Sequence, residues 1–149
     1  AEDAAHIFEL EGKSPYMLLV APLREVHRKV LPENFQQLSL WERLYCSRSE
    51  LQAITHLDFS ARVQTVHHST NPRFYDLLQS FKSKTGVGVL VNTSFNVRGE
   101  PIVCTPADAY RCFMSTDMDV LVLNNYLFIK EEQPDYTNKE KCMINFAKD

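Results

Sequence analysis

Residues 92–101, which read NTSFNVRGEP, hold a dense set of hydrogen-bonding side chains between a predicted strand and a predicted helix. Open α/β sheets bind ligands in this position, outside the carboxyl ends of their strands. Amide and hydroxyl groups suit phosphate oxygens or a nucleotide sugar. The side chains concerned are those of Asn92, Thr93, Ser94, Asn96, Arg98 and Glu100. The segment, called the 92–101 loop below, is therefore interpreted as a loop that binds an anionic ligand.

Arg98 and Gly99 resemble an oxyanion clamp. The guanidinium of Arg98 offers a planar, permanently charged fork to phosphate or carboxylate, and Gly99 allows close approach of the backbone or a positive φ. The alternative is a hydrogen-bonded turn in which Arg98 pairs with Glu100, because turns favour Asn, Ser and Gly in any case. The residues alone leave both interpretations open.

Arg62 is a second candidate for the same anion. Residues 61–66 (ARVQTV) alternate small or apolar with polar side chains, which predicts a strand whose wet face carries Arg62 and Gln64. Two arginines that converge on one pocket are a common solution for phosphate, so Arg62 and Arg98 are expected to meet at the ligand. The alternative is that Arg62 is a solvated surface residue.

Other kinds of chemistry have weaker support in the sequence. A metal site needs three or four converging ligands, and spacing does not supply them from the group His56, Asp58, His67 and His68, so no metal site is predicted. Ser94 and Cys104 lie in no nucleophile elbow, and nucleophilic catalysis is not predicted. The chain has neither a P-loop nor a GxGxxG sequence. The cysteines fit neither a zinc site nor a disulfide framework, being widely spaced at Cys46, Cys104, Cys112 and Cys142.

The elements that must position these residues are predicted from periodicity and capping. Strands are predicted at 14–21, 61–66, 87–91, 119–123 and 126–129, the last two joined by a turn at Asn124 and Asn125. Asn71 and Pro72 predict a helix start, and Gly86 its end. Its buried face is expected to hold Phe74, Leu77, Leu78 and Phe81. Thr105 begins a second helix, with Pro106 at N1 and an acid at N3, that buries Tyr110, Phe113 and Met114.

Composition and charge favour one α/β (α+β) domain with a core, followed by a loosely attached tail at 131–149. A formal net charge of −3 argues against nonspecific binding of nucleic acid or of a membrane surface. No apolar run is long enough for a membrane span and no signal peptide opens the chain, so a cytoplasmic protein is expected. Because the chain begins at Ala1 without methionine, residues upstream are expected to be missing.

Three segments carry a family resemblance: SPYML at 14–18, THLDFSARVQTV at 55–66 and VLVNTSFNVRGEPIVCTPADAYRCF at 89–113. They resemble the C-terminal domain of nodulation-type O-carbamoyltransferases, a family that also serves antibiotic biosynthesis. The resemblance covers residues 1–130 and implies a YrdC-like twisted mixed sheet flanked by helices, truncated at its N-terminus. The tail does not share the resemblance.

The resemblance implies that the domain activates carbamoyl phosphate with ATP and magnesium, releasing pyrophosphate and making a carbamoyladenylate. A preceding actin-like domain with bound iron, absent from this chain, would pass the carbamoyl group to a hydroxyl of a sugar or secondary metabolite. Arg62, Asn96 and Arg98 match positions expected to contact the carbamoyl and phosphate groups, with Asn96 and Arg98 as catalytic residues. Thr93 and Ser94 are further candidates for that pocket.

In this family a basic Lys-x-Arg-Glu stretch, followed by Arg-Pro-Phe-Ala-Pro, lies upstream of SPYML and completes the anion pocket. The chain starts after it, so the 149-residue piece alone is expected to show no turnover. Two alternatives stay open: a threonylcarbamoyl-adenylate synthase-like domain for tRNA modification, and a noncatalytic module that binds an anion or a partner. A homodimer is also possible on this sequence.

Overall fold

The computed structural model describes residues 1–134 and has a mixed α/β fold. Helices accompany two separate two-stranded antiparallel sheets, which confirms the predicted α/β (α+β) class. The chain divides into two compact units, Ala1–Val91 and Asn92–Asp149. The YrdC-like assignment stays a prediction, and the predicted tail at 131–149 lies outside the described residues from position 135 onward.

The first unit is built around a two-stranded antiparallel ribbon. Its elements are α1 (Ala4–Ile7), β1 (Leu19–Pro22), α2 (Leu40–Tyr45), β2 (Ser60–Val63) and α3 (Pro72–Thr85), with short 3-10 turns at Glu25–His27, Phe35–Gln37 and Gln52–Ile54. Strands β1 and β2 pair with Val20 opposite Arg62 and Ala21 opposite Ala61. The inward side of the ribbon joins α1 in the core of this unit, which consists of Ile7, Phe8, Ala21, Leu23, Ala61 and Val63.

Helix α3 begins and ends as predicted, but its apolar face is not buried. The side chain of Asn71 accepts a hydrogen bond from the backbone N–H of Phe74, and Gly86 ends the helix at φ 83°. Leu77 is exposed, and Phe74, Leu78 and Phe81 are only half-buried. The predicted buried face is therefore wrong for the described residues, because helical periodicity shows which side chains share a face but not what covers them.

The predicted strand at 87–91 is also wrong. These residues pair with no strand in the part of the chain that the structure describes, and Val91 is exposed. A short apolar run is compatible with a strand, but a strand exists only where a neighbour completes its backbone hydrogen bonds. The predicted strand at 14–21 is likewise shorter, since β1 starts at Leu19.

In its described residues, the second unit packs a helix on a hairpin. Helix α4 (Pro106–Ser115) precedes β3 (Val120–Leu123) and β4 (Tyr126–Ile129), and a 3-10 turn follows at Lys130–Glu132. Phe113 and Met114 are buried as predicted, together with Leu121, whereas Tyr110 is half-buried. The hairpin and its turn are confirmed, with Leu123 opposite Tyr126 and Asn124 at φ 54°.

Among residues 1–134, none of the helices has both the length and the apolar character that crossing a membrane requires.

Candidate functional site

The 92–101 loop is a tight turn closed by its own amide side chain. Asn96 Nδ2 donates to the carbonyl oxygens of Val97 at 3.1 Å and of Glu100 at 2.9 Å. The backbone N–H of Glu100 also donates to the Val97 carbonyl at 3.1 Å, and Gly99 takes φ 92°. The turn geometry predicted as an alternative is therefore present, and Asn96 holds it together.

Both ends of the loop are fixed within the second unit. On one side Phe95 packs against the core formed by Phe113, Met114 and Leu121, and its carbonyl accepts the Val103 N–H at 3.0 Å. On the other side α4 begins with a capping box. The Thr105 hydroxyl accepts from the Asp108 N–H at 3.1 Å, and Asp108 Oδ2 accepts from the Thr105 N–H at 3.0 Å.

The Asp108 carboxylate that closes this cap is held in its charged form. The hydrogen bond from the Thr105 side chain, followed by that from Arg111, lowers the pKa of Asp108 below its usual value. The Arg111 contact is an ion pair of 2.8 Å with Asp108 Oδ1. Helix α4 thus starts at a well-defined point just after the loop.

Arg98 projects from this fixed turn into solvent. It forms no hydrogen bond or ion pair with any residue of the described range 1–134, and the expected alternative pairing with Glu100 is not observed there. Thr93 and Ser94 are exposed as well, whereas Asn92 already has an interaction partner. A rigid backbone with an uncommitted guanidinium is an arrangement that can bind an anion without reorganisation.

Arg62 lies on the exposed side of β2, as predicted. Burial alternates along the strand: Ala61, Val63 and Thr65 are buried, while Arg62 and Gln64 are exposed. Within residues 1–134 the guanidinium of Arg62 has no hydrogen-bond or ion-pair partner. Because Arg62 belongs to the first compact unit and Arg98 to the second, their convergence on one ligand stays a prediction.

A hydrogen-bonded turn before β2 was not anticipated from the sequence. Asp58 Oδ1 accepts from the Ser60 N–H at 3.0 Å and from Ser60 Oγ at 2.7 Å, and His56 Nδ1 lies 2.9 Å from the same hydroxyl. The side-chain and backbone hydrogen bonds of Ser60 lower the pKa of Asp58. Between them Phe59 takes φ 63°, which is unfavourable for a bulky side chain. The Asp-x-Ser spacing, typical of such side-chain turns, could have revealed it.

A second unanticipated turn precedes β1, in the SPYML segment. Ser14 is buried, its N–H donates to Thr65 Oγ1 at 2.9 Å and its hydroxyl donates to the Val63 carbonyl at 2.7 Å. Met17 takes φ 53°. No local sequence pattern indicates this turn, because its partners are about fifty positions away along the chain.

His56, His67 and His68 have structural partners rather than a shared ligand geometry. His67 Nε2 lies 3.3 Å from Thr65 Oγ1, and His68 packs edge-on against Tyr75. In the described part of the chain, no group of three or more His, Cys, Asp or Glu side chains is arranged to hold a metal ion. Cys104 is exposed and Cys112 is buried; burial, followed by the charge of Glu100, raises the pKa of the Cys112 thiol.

Comparison with known proteins relates the chain to one family. The family model described as "Carbamoyltransferase C-terminus" matches residues 1–130. An uncharacterized protein of Synechocystis sp. is 56% identical over 149 residues, which is 100% of this chain and 24% of that protein.

Two relatives with functional names are also similar. Nodulation protein NolNO of Sinorhizobium fredii is 38% identical over 132 residues, which is 87% of this chain and 16% of that protein. A 3'-hydroxymethylcephem-O-carbamoyltransferase of Amycolatopsis lactamdurans is 37% identical over 107 residues, which is 72% of this chain and 16% of that protein. The chain thus spans about a quarter or less of the length of the curated relatives it matches.

Proposed function

The chain belongs to the carbamoyltransferase C-terminus family, and we propose that it is the part of an O-carbamoyltransferase that activates carbamoyl phosphate with ATP. The product is carbamoyladenylate, whose carbamoyl group goes to a hydroxyl of a sugar or secondary metabolite. Support for the transfer comes from the relatives named O-carbamoyltransferases. Support for the activation comes from the exposed, unpaired guanidinium that the 92–101 loop presents at Arg98.

Atom balance divides the activation into two steps. Carbamoyl phosphate first loses inorganic phosphate to water, which leaves carbamate. An oxygen of carbamate then attacks the α-phosphorus of ATP, and pyrophosphate leaves with the electron pair of the broken P–O bond. Mg²⁺ travels with the nucleotide, since it binds phosphate oxygens and waters rather than a dedicated protein cage. Both steps build negative charge on phosphoryl oxygens, so fixed cationic donors accelerate them.

The single observation that carries the proposal is the uncommitted guanidinium of Arg98 on a fixed turn. In the proposed mechanism Arg98 stabilises the charge that develops on the phosphoryl group, and Arg62 is a second phosphate-binding arginine. Asn96 stabilises the turn with hydrogen bonds from its amide nitrogen. In the proposed mechanism its amide oxygen accepts a hydrogen bond from the carbamoyl NH₂. Thr93, Ser94 and Asn92 supply donors for phosphate or ribose oxygens.

The test uses the full-length enzyme and measures pyrophosphate release that depends on carbamoyl phosphate. We expect Arg98→Ala to lower the rate by about 10²-fold or more, because a preorganised charged donor is lost from the transition state. Arg73→Ala is the matched control: Arg73 is exposed on α3 and is unpaired within residues 1–134. The control rate should stay within about twofold of the wild type.

The same assay separates the alternatives. If pyrophosphate release requires threonine rather than carbamoyl phosphate, the chain serves a threonylcarbamoyl-adenylate reaction and the proposal is wrong. If calorimetry finds binding of an anion, but no condition gives release of pyrophosphate from ATP, the chain is a noncatalytic module. Release of both phosphate and pyrophosphate with carbamoyl phosphate supports the proposal.

A further inference from the structure

The turn before β2 carries three side chains that are joined by hydrogen bonds. Ser60 Oγ donates to Asp58 Oδ1 at 2.7 Å, and His56 Nδ1 lies 2.9 Å from the same hydroxyl oxygen. The side-chain hydrogen bond of Ser60, followed by that of its backbone N–H, holds the pKa of Asp58 below its usual value. Asp58 is therefore ionised at neutral pH, and an ionised carboxylate can only accept hydrogen bonds.

This arrangement determines which ring nitrogen of His56 carries the proton. A serine hydroxyl has one hydrogen, and Ser60 donates it to Asp58, so Ser60 Oγ can only accept from His56. Nδ1 therefore carries the hydrogen, and in the neutral imidazole Nε2 then has the free electron pair. Within residues 1–134 Nε2 forms no hydrogen bond, and the side chain of His56 is exposed. The turn thus presents a base to solvent in one fixed tautomer.

The backbone of the turn fixes the position of this base. The His56 N–H donates to the Ser60 carbonyl at 2.8 Å, and the Phe59 N–H donates to the His56 carbonyl at 3.1 Å. The Leu23 N–H donates to the Phe59 carbonyl at 2.8 Å, and the Arg28 guanidinium lies 5.5 Å from the centre of the Phe59 ring. Phe59 itself takes φ 63°. Strained backbone of this kind persists only where the surrounding contacts impose it, and it is frequent at active sites.

Arg62 lies on the same face of β2 as this base. Ser60 and Arg62 are two positions apart on the strand, so their side chains leave the same face about 7 Å apart. Since the His56 ring contacts the Ser60 hydroxyl, the imidazole and the guanidinium of Arg62 belong to one face of one strand. A phosphate bound by Arg62 therefore lies close to a base that can act on water.

We infer that His56 is the general base for hydrolysis of carbamoyl phosphate, with Ser60 and Asp58 as positioning residues. The inference rests on the proposed function and assigns a residue to its first step. The oxygen of water forms a bond to phosphorus, while a proton of that water passes to His56 Nε2. The bond from phosphorus to the bridging oxygen breaks, and its electron pair leaves on carbamate. A positioned base accelerates such a step by about 10²- to 10⁴-fold.

Carbamate supplied directly separates this role from the later steps. The full-length enzyme is assayed for phosphate release from carbamoyl phosphate, and for pyrophosphate release from ATP with ammonium carbamate, which bypasses the hydrolysis. His56→Gln keeps a hydrogen-bond donor but has no basic nitrogen. We expect it to lower enzymatic phosphate release by about 10²-fold or more and to leave carbamate-dependent pyrophosphate release within about twofold of the wild type.

The pH dependence of kcat for phosphate release tests the base itself. Protonation of Nε2 removes its electron pair, so the wild-type kcat should fall as the pH falls, and His56→Gln should lose this acidic limb. Ser60→Ala should lower kcat and leave KM unchanged, because it releases the tautomer without removing a contact to the anion. Charged groups of the described chain around the turn are Asp58, Arg62 and the ion pair of Arg28 with Glu9.

His6→Gln is the matched control, because His6 is exposed on α1 and its side chain forms no hydrogen bond within residues 1–134. It should leave both rates and the acidic limb unchanged, and thermal unfolding of each variant checks that the fold is retained. The inference is overturned if His56→Gln leaves phosphate release unchanged, or lowers the carbamate-dependent rate equally. In that case carbamoyl phosphate-dependent pyrophosphate release by the wild type still upholds the proposed function. Phosphate release that requires His56, without pyrophosphate release from either source of carbamate, would reject the function and keep the base.

Discussion

Arginines of this chain fall into two groups according to what their guanidinium groups contact. Structural arginines bind carbonyl oxygens or carboxylates of the fold: Arg48, for example, is buried and donates to the Thr55 carbonyl at 3.0 Å and to the Arg43 carbonyl at 2.7 Å. Arg62 and Arg98 have no such partner within residues 1–134 and remain available to a ligand. The sequence indicated both candidates from their surroundings but could not identify Arg48 as structural, since its acceptors are backbone atoms of a folded loop.

The two thiols near the candidate site should differ in reactivity. Cys104 is exposed, whereas Cys112 is buried and its thiol pKa is raised, so little of it is the reactive thiolate. We expect iodoacetamide to label Cys104 quickly in the native protein and Cys112 only after denaturation, as followed by mass spectrometry of peptides. Equal labelling rates in the native state would contradict the burial of Cys112.

At the scale of elements, features encoded by neighbouring residues were predictable and features that need distant partners were not. The helix starts at Asn71 and Thr105 were predicted because the capping side chain, the proline and the backbone N–H that donates to the cap lie within four positions. The hairpin turn at Asn124 was predicted for the same reason. The predicted strand at 87–91 was wrong, because a strand depends on a neighbouring strand that local sequence does not specify.

The cap of α4 predicts a specific pH dependence. The folded-state pKa of Asp108 is lowered, so its contribution to stability is complete above the ordinary value of 3.8 and is lost as the pH falls through the lower folded value. Asp108→Asn should therefore reduce the loss of unfolding free energy between about pH 5 and about pH 2, measured by denaturant titration. Asp117→Asn, an exposed acid of the same unit with no hydrogen bond in the described structure, should retain the wild-type slope. If the unfolding free energies of the wild type and Asp108→Asn depend on pH in the same way, the Asp108 carboxylate does not stabilise the cap of α4.

At the scale of the whole molecule, the chain is short compared with its relatives, of which it covers about a quarter or less. Arg62 lies in its first compact unit and Arg98 in its second. Membership of the carbamoyltransferase family could be predicted from three motif segments. The acceptor could not, because the resemblance implies that a separate domain chooses it.

Consequently the isolated 149-residue chain is expected to give no carbamoylated product. The relatives named as O-carbamoyltransferases are several times longer than this chain, and we expect the transfer to need the rest of such a protein. The measurement is chromatography of acceptor hydroxyl compounds after incubation with ATP and carbamoyl phosphate, with the full-length enzyme as the positive control. Turnover by the isolated chain would show that all catalytic groups lie within it.

At Gly99 the backbone conformation, and not the available space, limits which residue can replace the glycine. A methyl group added there would meet no atom within 4 Å, yet φ is 92°, a conformation that L-residues avoid. L-alanine would therefore strain the turn without any steric clash, whereas D-alanine favours positive φ and restricts the unfolded chain. A semisynthetic protein with D-alanine at this position should hold Arg98 at least as firmly as glycine does. The turn that presents the Arg98 guanidinium thus requires a residue that adopts positive φ, and it does not require a small side chain.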